Sequence, residues 1–76
     1  MMNGGSNLNR KNFLTSRERE IFELLVKNYD TEEIADRLHI SSKTVRNHIS
    51  NVIQKLDVKG RSQAILELIK MKEITL

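Results

Sequence analysis

Cysteine, proline and tryptophan are absent from this 76-residue sequence, and glycine occurs only three times. Without cysteine there is no disulfide and no thiolate metal site, which is compatible with a reducing cytoplasm. Without proline and with so little glycine, a turn-rich β sandwich or barrel is disfavoured. No apolar run is long enough for a secretory segment or a membrane span, so neither export nor a membrane partner is expected. The two histidines are isolated and make a poor metal site. No nucleophile with a base, no carboxylate pair in a glycine-framed pocket and no phosphate loop can be assembled. An enzyme is therefore not expected, and no cofactor is implied.

What is present fits one small all-α domain. Hydrophobic residues make up 38% of the chain and aromatic residues 4%, a size and composition at which a single core just suffices. The net charge is +3, but it is unevenly spread. Residues 14–40 carry seven acidic and four basic side chains, whereas residues 41–61 carry Lys43, Arg46, Lys55, Lys59 and Arg61 against Asp57 alone. A basic third beside an acidic third is the electrostatic footprint of oriented phosphate binding.

The stretch Ile40 to Leu56 contains no acidic residue at all. At about 100° per residue, Val45, Ile49, Val52 and Leu56 form one apolar stripe, with Ile53 at its edge. On the opposite side, by the same spacing, lie Lys43, Asn47, Ser50 and Gln54, flanked by Arg46 on one shoulder and by Asn51 and Thr44 on the other. Each of these side chains donates hydrogen bonds and none is anionic. Such a helix suits a polyanion, although an isolated basic helix is equally compatible with a solvated surface.

Its surroundings decide between the two. Residues 1–13 read as a flexible tail, a linker or an expression remnant, in which Arg10 and Lys11 could touch phosphate but are more simply solvated. The domain proper is expected over 14–76. Thr15-Ser16-Arg17-Glu18 has the spacing of a capping box and starts a first helix, with Ile21, Leu24 and Leu25 as its stripe, ending near Asn28. Arg19 with Glu23, and Glu23 with Lys27, are spaced for surface pairs. Thr31 is expected to cap a short second helix with Ile34, Ala35 and Leu38 on one face. Ser41 should cap a third helix from Ser42 to about Leu56, left through Asp57-Val58-Lys59-Gly60, with Gly60 the residue suited to a left-handed turn. Two helices joined by a few residues, the second polar and basic, describe a helix-turn-helix. Arg61 to Met71 forms a fourth helix whose apolar arc is wider than one core contact requires. That width fits either a core surrounding the helix or a dimer seam.

The set Leu14-Thr15, Arg17-Glu18-Arg19-Glu20, Leu24-Leu25, Ile34-Ala35, Leu38, Ile40-Ser41, Thr44-Val45, His48, Asn51, Lys55-Leu56, Val58, Arg61 and Ala64 resembles the LuxR-type helix-turn-helix. The resemblance runs from Leu14 to Met71 without a gap. The run TVRNHISN with VKGRSQA, and no larger domain beside it, is similar to the small stand-alone spore-regulatory type within that family. The resemblance implies a four-helix, cytoplasmic regulator of transcription that binds double-stranded DNA, forms a homodimer through the fourth helix and has RNA polymerase as a further partner.

It also implies site residues. Arg46, Asn47 and Ser50 would face bases in the major groove, Arg suiting guanine and Asn adenine, with Ser50 shorter than the basic residue of some members. Ser41, Ser42, Lys43, Thr44, Lys55 and Arg61 would hold phosphates. His48 would pack or touch a phosphate, and Asn51 would make a local bond or touch DNA. Ala64, Leu66, Leu68 and Met71 would form the dimer interface. Other readings of the chain are the output domain of a response regulator, a region-four fragment of a sigma factor, and a protein-binding helical module.

Overall fold

The computed structural model describes residues 13–75, and those residues contain four helices and no strand. They are α1 (Ser16–Val26), α2 (Thr31–Leu38), α3 (Ser42–Leu56) and α4 (Arg61–Lys70). Arg10 and Lys11 lie outside the described residues. Phe13, placed with the tail in the sequence, is partly buried against the core.

Helix starts are set by short-range hydrogen bonds. At α1 the Glu18 N–H donates to Thr15 Oγ1 at 3.1 Å and the Thr15 N–H donates to Glu18 Oε1 at 2.9 Å, the reciprocal cap expected. At α3, Ser41 Oγ accepts the Thr44 N–H at 3.0 Å, also as expected. α2 differs. Its cap is Asp30 rather than Thr31, with the Glu33 N–H on Asp30 Oδ1 at 2.8 Å and the Asp30 N–H on Glu33 Oε1 at 2.9 Å. A cap at Asp30 places Glu33 three residues on, where its carboxylate returns the bond; a cap at Thr31 would place Ile34 there, which has nothing to return.

Helix ends share one device. Asn28, His39, Asp57 and Lys72 have φ of 74°, 59°, 56° and 63°, all left-handed. Each is followed by a residue whose N–H reaches back five positions: Tyr29 to Leu24, Ile40 to Ala35, Val58 to Ile53 and Glu73 to Leu68, at 2.9 to 3.2 Å. This is the Schellman closure, four times over and without glycine. Gly60, expected to supply the left-handed turn after α3, instead has φ −165° and ψ 178°, an extended conformation at the start of α4. Asp57, directly after the last residue of α3, makes the turn three residues earlier.

α3 is the central element, packed against α1, α2 and α4. Val45, Ile49 and Val52 line its buried side, meeting Ile21 and Phe22 of α1, Ile34 and Ala35 of α2, and Ala64 and Leu68 of α4 in one cluster closed by Leu14 and Ile74. Each large side chain buried here is worth about 1.5–3 kcal/mol of transfer free energy. With Val45, Ile49 and Val52 buried, the opposite side of α3 is fixed toward solvent.

The surface pairs are rearranged from expectation. Arg17 meets Glu20 at 3.2 Å, while Arg19 turns across the molecule to Glu73 at 2.8 Å. Glu23 and Lys27 form no ion pair among the described residues.

Candidate nucleic-acid interface

α2, the turn His39-Ile40-Ser41 and α3 make the helix-turn-helix. The left-handed His39 redirects the chain, the half-buried Ile40 anchors it to the core, and Ser41 opens α3. Lys43, Arg46, Asn47, Ser50, Asn51 and Gln54 are exposed along α3, and no acidic residue lies between Ser42 and Leu56. Arg46, Asn47 and Ser50 therefore share one open strip with Lys43. Gln54 continues the strip one turn further on and has no role from the sequence beyond its place on the face.

Around the first turn of α3 the hydroxyls of Ser41 and Thr44 lie 2.9 Å apart. One of the two O–H groups bridges them, which leaves the other to donate to a ligand. Ser41 Oγ takes the Thr44 N–H, while the N–H groups of Ser42 and Lys43 have no intrahelical acceptor, so this end presents those two donors beside the Lys43 side chain. Ser42 is half-buried and Arg61 is exposed in the first turn of α4. His48 is half-buried, between the strip and the core, consistent with packing as one of its two expected roles.

Lys55 is placed differently from the other cations. Its Nζ donates to Glu18 Oε1 at 2.7 Å and to the Phe13 carbonyl at 3.2 Å, and it sits 5.2 Å from the centre of the Phe13 ring. The Lys55 ammonium, expected at a phosphate, is paired within the chain with an acidic residue of α1. Burial pushes the Glu18 carboxyl up, but the hydrogen bonds from Lys55 and the Thr15 N–H, with the positive charge of Lys55 and the proximity of His48, outweigh it and hold the group below its ordinary value. The sequence identifies Glu18 only as a capping residue. Its second role depends on a residue 37 positions away, and no local pattern encodes that.

The expected partner-facing set on α4 is corrected in two places. Ala64 and Leu68 are wholly buried in the chain's own core and have no surface to offer a second copy. Met71 is half-buried at the helix exit. Leu66 is 59% exposed, the one large hydrophobic residue left open among the described residues, and it stands between the partly covered Ile65 and Ile69. The wide apolar arc is therefore two surfaces, one spent on the core and one outward.

Comparison with known proteins agrees with this architecture. Residues 12–68 match the family described as GerE, bacterial regulatory proteins of the luxR family. The chain is 65% identical over 66 residues to the spore germination protein GerE of Bacillus subtilis (strain 168), covering 87% of this chain and 89% of that protein. It is 47% identical over 57 residues to the transcriptional regulatory protein DegU of Brevibacillus brevis, and 49% identical over 53 residues to the response regulator protein VraR of Staphylococcus aureus (strain NCTC 8325 / PS 47). Those two matches cover 75% and 70% of this chain but only 24% and 25% of the relatives. The solved structure of the transcription factor GerE superposes with a TM-score of 0.83 at 64% identity, covering 84% of this chain and 96% of that one. The helix-turn-helix, its acid-free outer strip and these matches converge: the chain belongs to the luxR family of bacterial regulatory proteins and is a GerE-type, DNA-binding regulator of transcription.

Proposed function

We propose that the protein binds duplex DNA as a homodimer and reads one half-site per copy by placing α3 in the major groove. The observation that carries this is the exposed, acid-free strip of α3, held opposite the buried Val45, Ile49 and Val52. Within it Arg46, Asn47 and Ser50 face base edges. The Arg46 fork matches guanine O6 and N7, the Asn47 amide matches adenine N6 and N7, and Ser50 reaches least far. Ser41, Ser42, Lys43 and Thr44 at the start of α3, with Arg61 at the start of α4, hold the phosphates on either side. Lys55 is the strut that joins α3 to α1 through Glu18. The second copy packs on the outward side of α4 around Leu66, Ile65 and Ile69, with Met71 at its margin.

Identity of 65% to a spore germination protein supports a role in the regulation of spore-related genes. Such a regulator works in the cytoplasm, with RNA polymerase as the machinery it acts upon.

Selection of bound sequences from random duplex DNA tests the reading. The expected result is a two-fold related pair of half-sites. Arg46→Ala should then relax preference at one base pair per half-site and cost about 1–3 kcal/mol there. An unchanged selection profile for that variant would remove Arg46 from the base-reading set.

A further inference from the structure

Two neighbouring residues of α1 hold two different elements. Glu18 grips α3 through Lys55, and Arg19 grips the chain beyond α4 through Glu73. The second contact is the less ordinary. The Glu73 side chain is wholly buried, its Oε1 is 2.8 Å from Arg19 Nη2, and its backbone carbonyl accepts from Arg19 Nη1. Glu73 Oε2 has no hydrogen-bond partner among the described residues. Glu73 also occupies the position of the Schellman closure that Tyr29, Ile40 and Val58 fill at the other three helices, where an apolar contact is usual. A buried carboxylate at such a place costs desolvation, so its presence calls for a task that an apolar side chain would not perform.

That task follows from how α4 is supported. Its buried face rests on α3, and its tie to α1 is made by the residues after it: Lys72 turns the chain in the left-handed conformation, Glu73 meets Arg19, and Ile74 enters the core. An apolar residue at 73 would fill space without fixing direction. A carboxylate and a carbonyl gripping one guanidinium fix it, because hydrogen bonds constrain angle as well as distance.

We propose that Arg19 and Glu73 are positioning residues that set the angle of α4 on the α1–α3 frame, and thereby the separation of the two α3 helices when α4 packs on a second copy. The inference rests on the dimer reading given above. Half-site recognition needs only α3 and its phosphate anchors, whereas recognition of two half-sites at fixed spacing also needs the α4 angle. The Arg19–Glu73 contact serves the second requirement and not the first.

The test compares the full chain with Glu73→Gln and Arg19→Met on one duplex with a single half-site and on duplexes with two half-sites at graded separation. Circular dichroism confirms the fold of each variant, and Arg19→Lys serves as the conservative substitution. We expect single-half-site affinity within about two-fold of the native chain. Affinity for the paired site should fall tenfold or more, its optimum spacing should broaden, and Arg19→Lys should restore part of it. Equal losses on both kinds of duplex would reduce the contact to general stability and overturn the proposal, as would no change on either. The native chain provides the separate control: one copy on the paired site would sink the dimer reading itself, independently of how the variants behave.

Discussion

Lys55 Nζ lies 2.7 Å from Glu18 Oε1, so one of the three basic side chains of α3 is neutralised within the protein. The pair is not a surface ornament, since the Glu18 side chain is 6% exposed and the lysine 34%. It ties the last turn of α3 to the first turn of α1. A lysine so occupied releases few counterions when DNA binds.

This separates Lys55 from Lys43. Each phosphate neutralised contributes about 0.9 to the slope of log affinity against log salt. Lys43→Gln should lower the slope by close to that amount and leave the melting temperature nearly unchanged, because Lys43 is exposed. Lys55→Gln should move the slope far less and destabilise the fold by about 1–2 kcal/mol, since it leaves Glu18 without its charged partner. For a chain of this size that is a loss of roughly 4–16 °C. Titrations of duplex at several salt concentrations, with thermal melts of the same samples, measure both effects.

Glu18 also fixes a pH dependence. Its carboxyl is held below the ordinary value in the folded state, so the folded form binds its proton less readily than the unfolded form does. The contribution is fully present above the unfolded value of about 4.3, and it is lost as pH falls through the lower folded value. Denaturation of Glu18→Gln, which keeps the size of the side chain but not its titration, should show a weaker loss of stability between neutral pH and pH 3 than the native chain. Parallel curves for the two proteins would place the acid sensitivity elsewhere.

The sequence made the helices and the exposed, acid-free face of α3 legible because both depend on residues within a turn or two of each other. The α3 stripe of Val45, Ile49 and Val52, the caps at Thr15 and Ser41, and the exposed Lys43, Arg46, Asn47 and Ser50 follow from periodicity and short hydrogen bonds. The long-range ion pairs did not follow. Arg19 has a suitable partner four residues away in Glu23, and only the course of the chain after α4 brings Glu73 closer. Ala64 and Leu68 were indistinguishable from Leu66 as apolar residues on a wide arc, and tertiary packing alone assigns them to opposite duties. The left-handed helix ends were hidden because glycine, their usual marker, is absent from all four.

That absence gives a stability prediction. A left-handed conformation costs an ordinary L-residue roughly 1–2 kcal/mol, least for Asn and Asp. His39 and Lys72 are exposed and left-handed, so His39→Gly and Lys72→Gly should each stabilise the fold by about 0.5–1 kcal/mol after the greater freedom of glycine in the unfolded chain is subtracted. Asn28→Gly and Asp57→Gly should gain less. Gly60 offers the converse case, being an extended helix cap with no side-chain hydrogen bond and nothing within 4 Å of an added Cβ. Gly60→Ser should add a cap and stabilise by about 0.5–1 kcal/mol. Urea denaturation with unchanged m-values would check all five substitutions.

The two sides of α4 can be told apart by charge and by volume. Leu66→Glu places a carboxylate on a residue that is 59% exposed in the single chain, so stability at low concentration should change by no more than about 0.5 kcal/mol. If α4 joins two copies around Leu66, that carboxylate faces its own symmetry mate across an apolar contact, and association should be abolished. Leu68→Ala does the opposite. It opens a cavity in the chain's own core, where Leu68 is fully buried, and should cost about 2–5 kcal/mol while leaving the outward side intact. Sedimentation across a concentration series, alongside denaturation, reads both properties. A Leu66→Glu chain that still sediments as a dimer would move the second copy to a different face of the molecule.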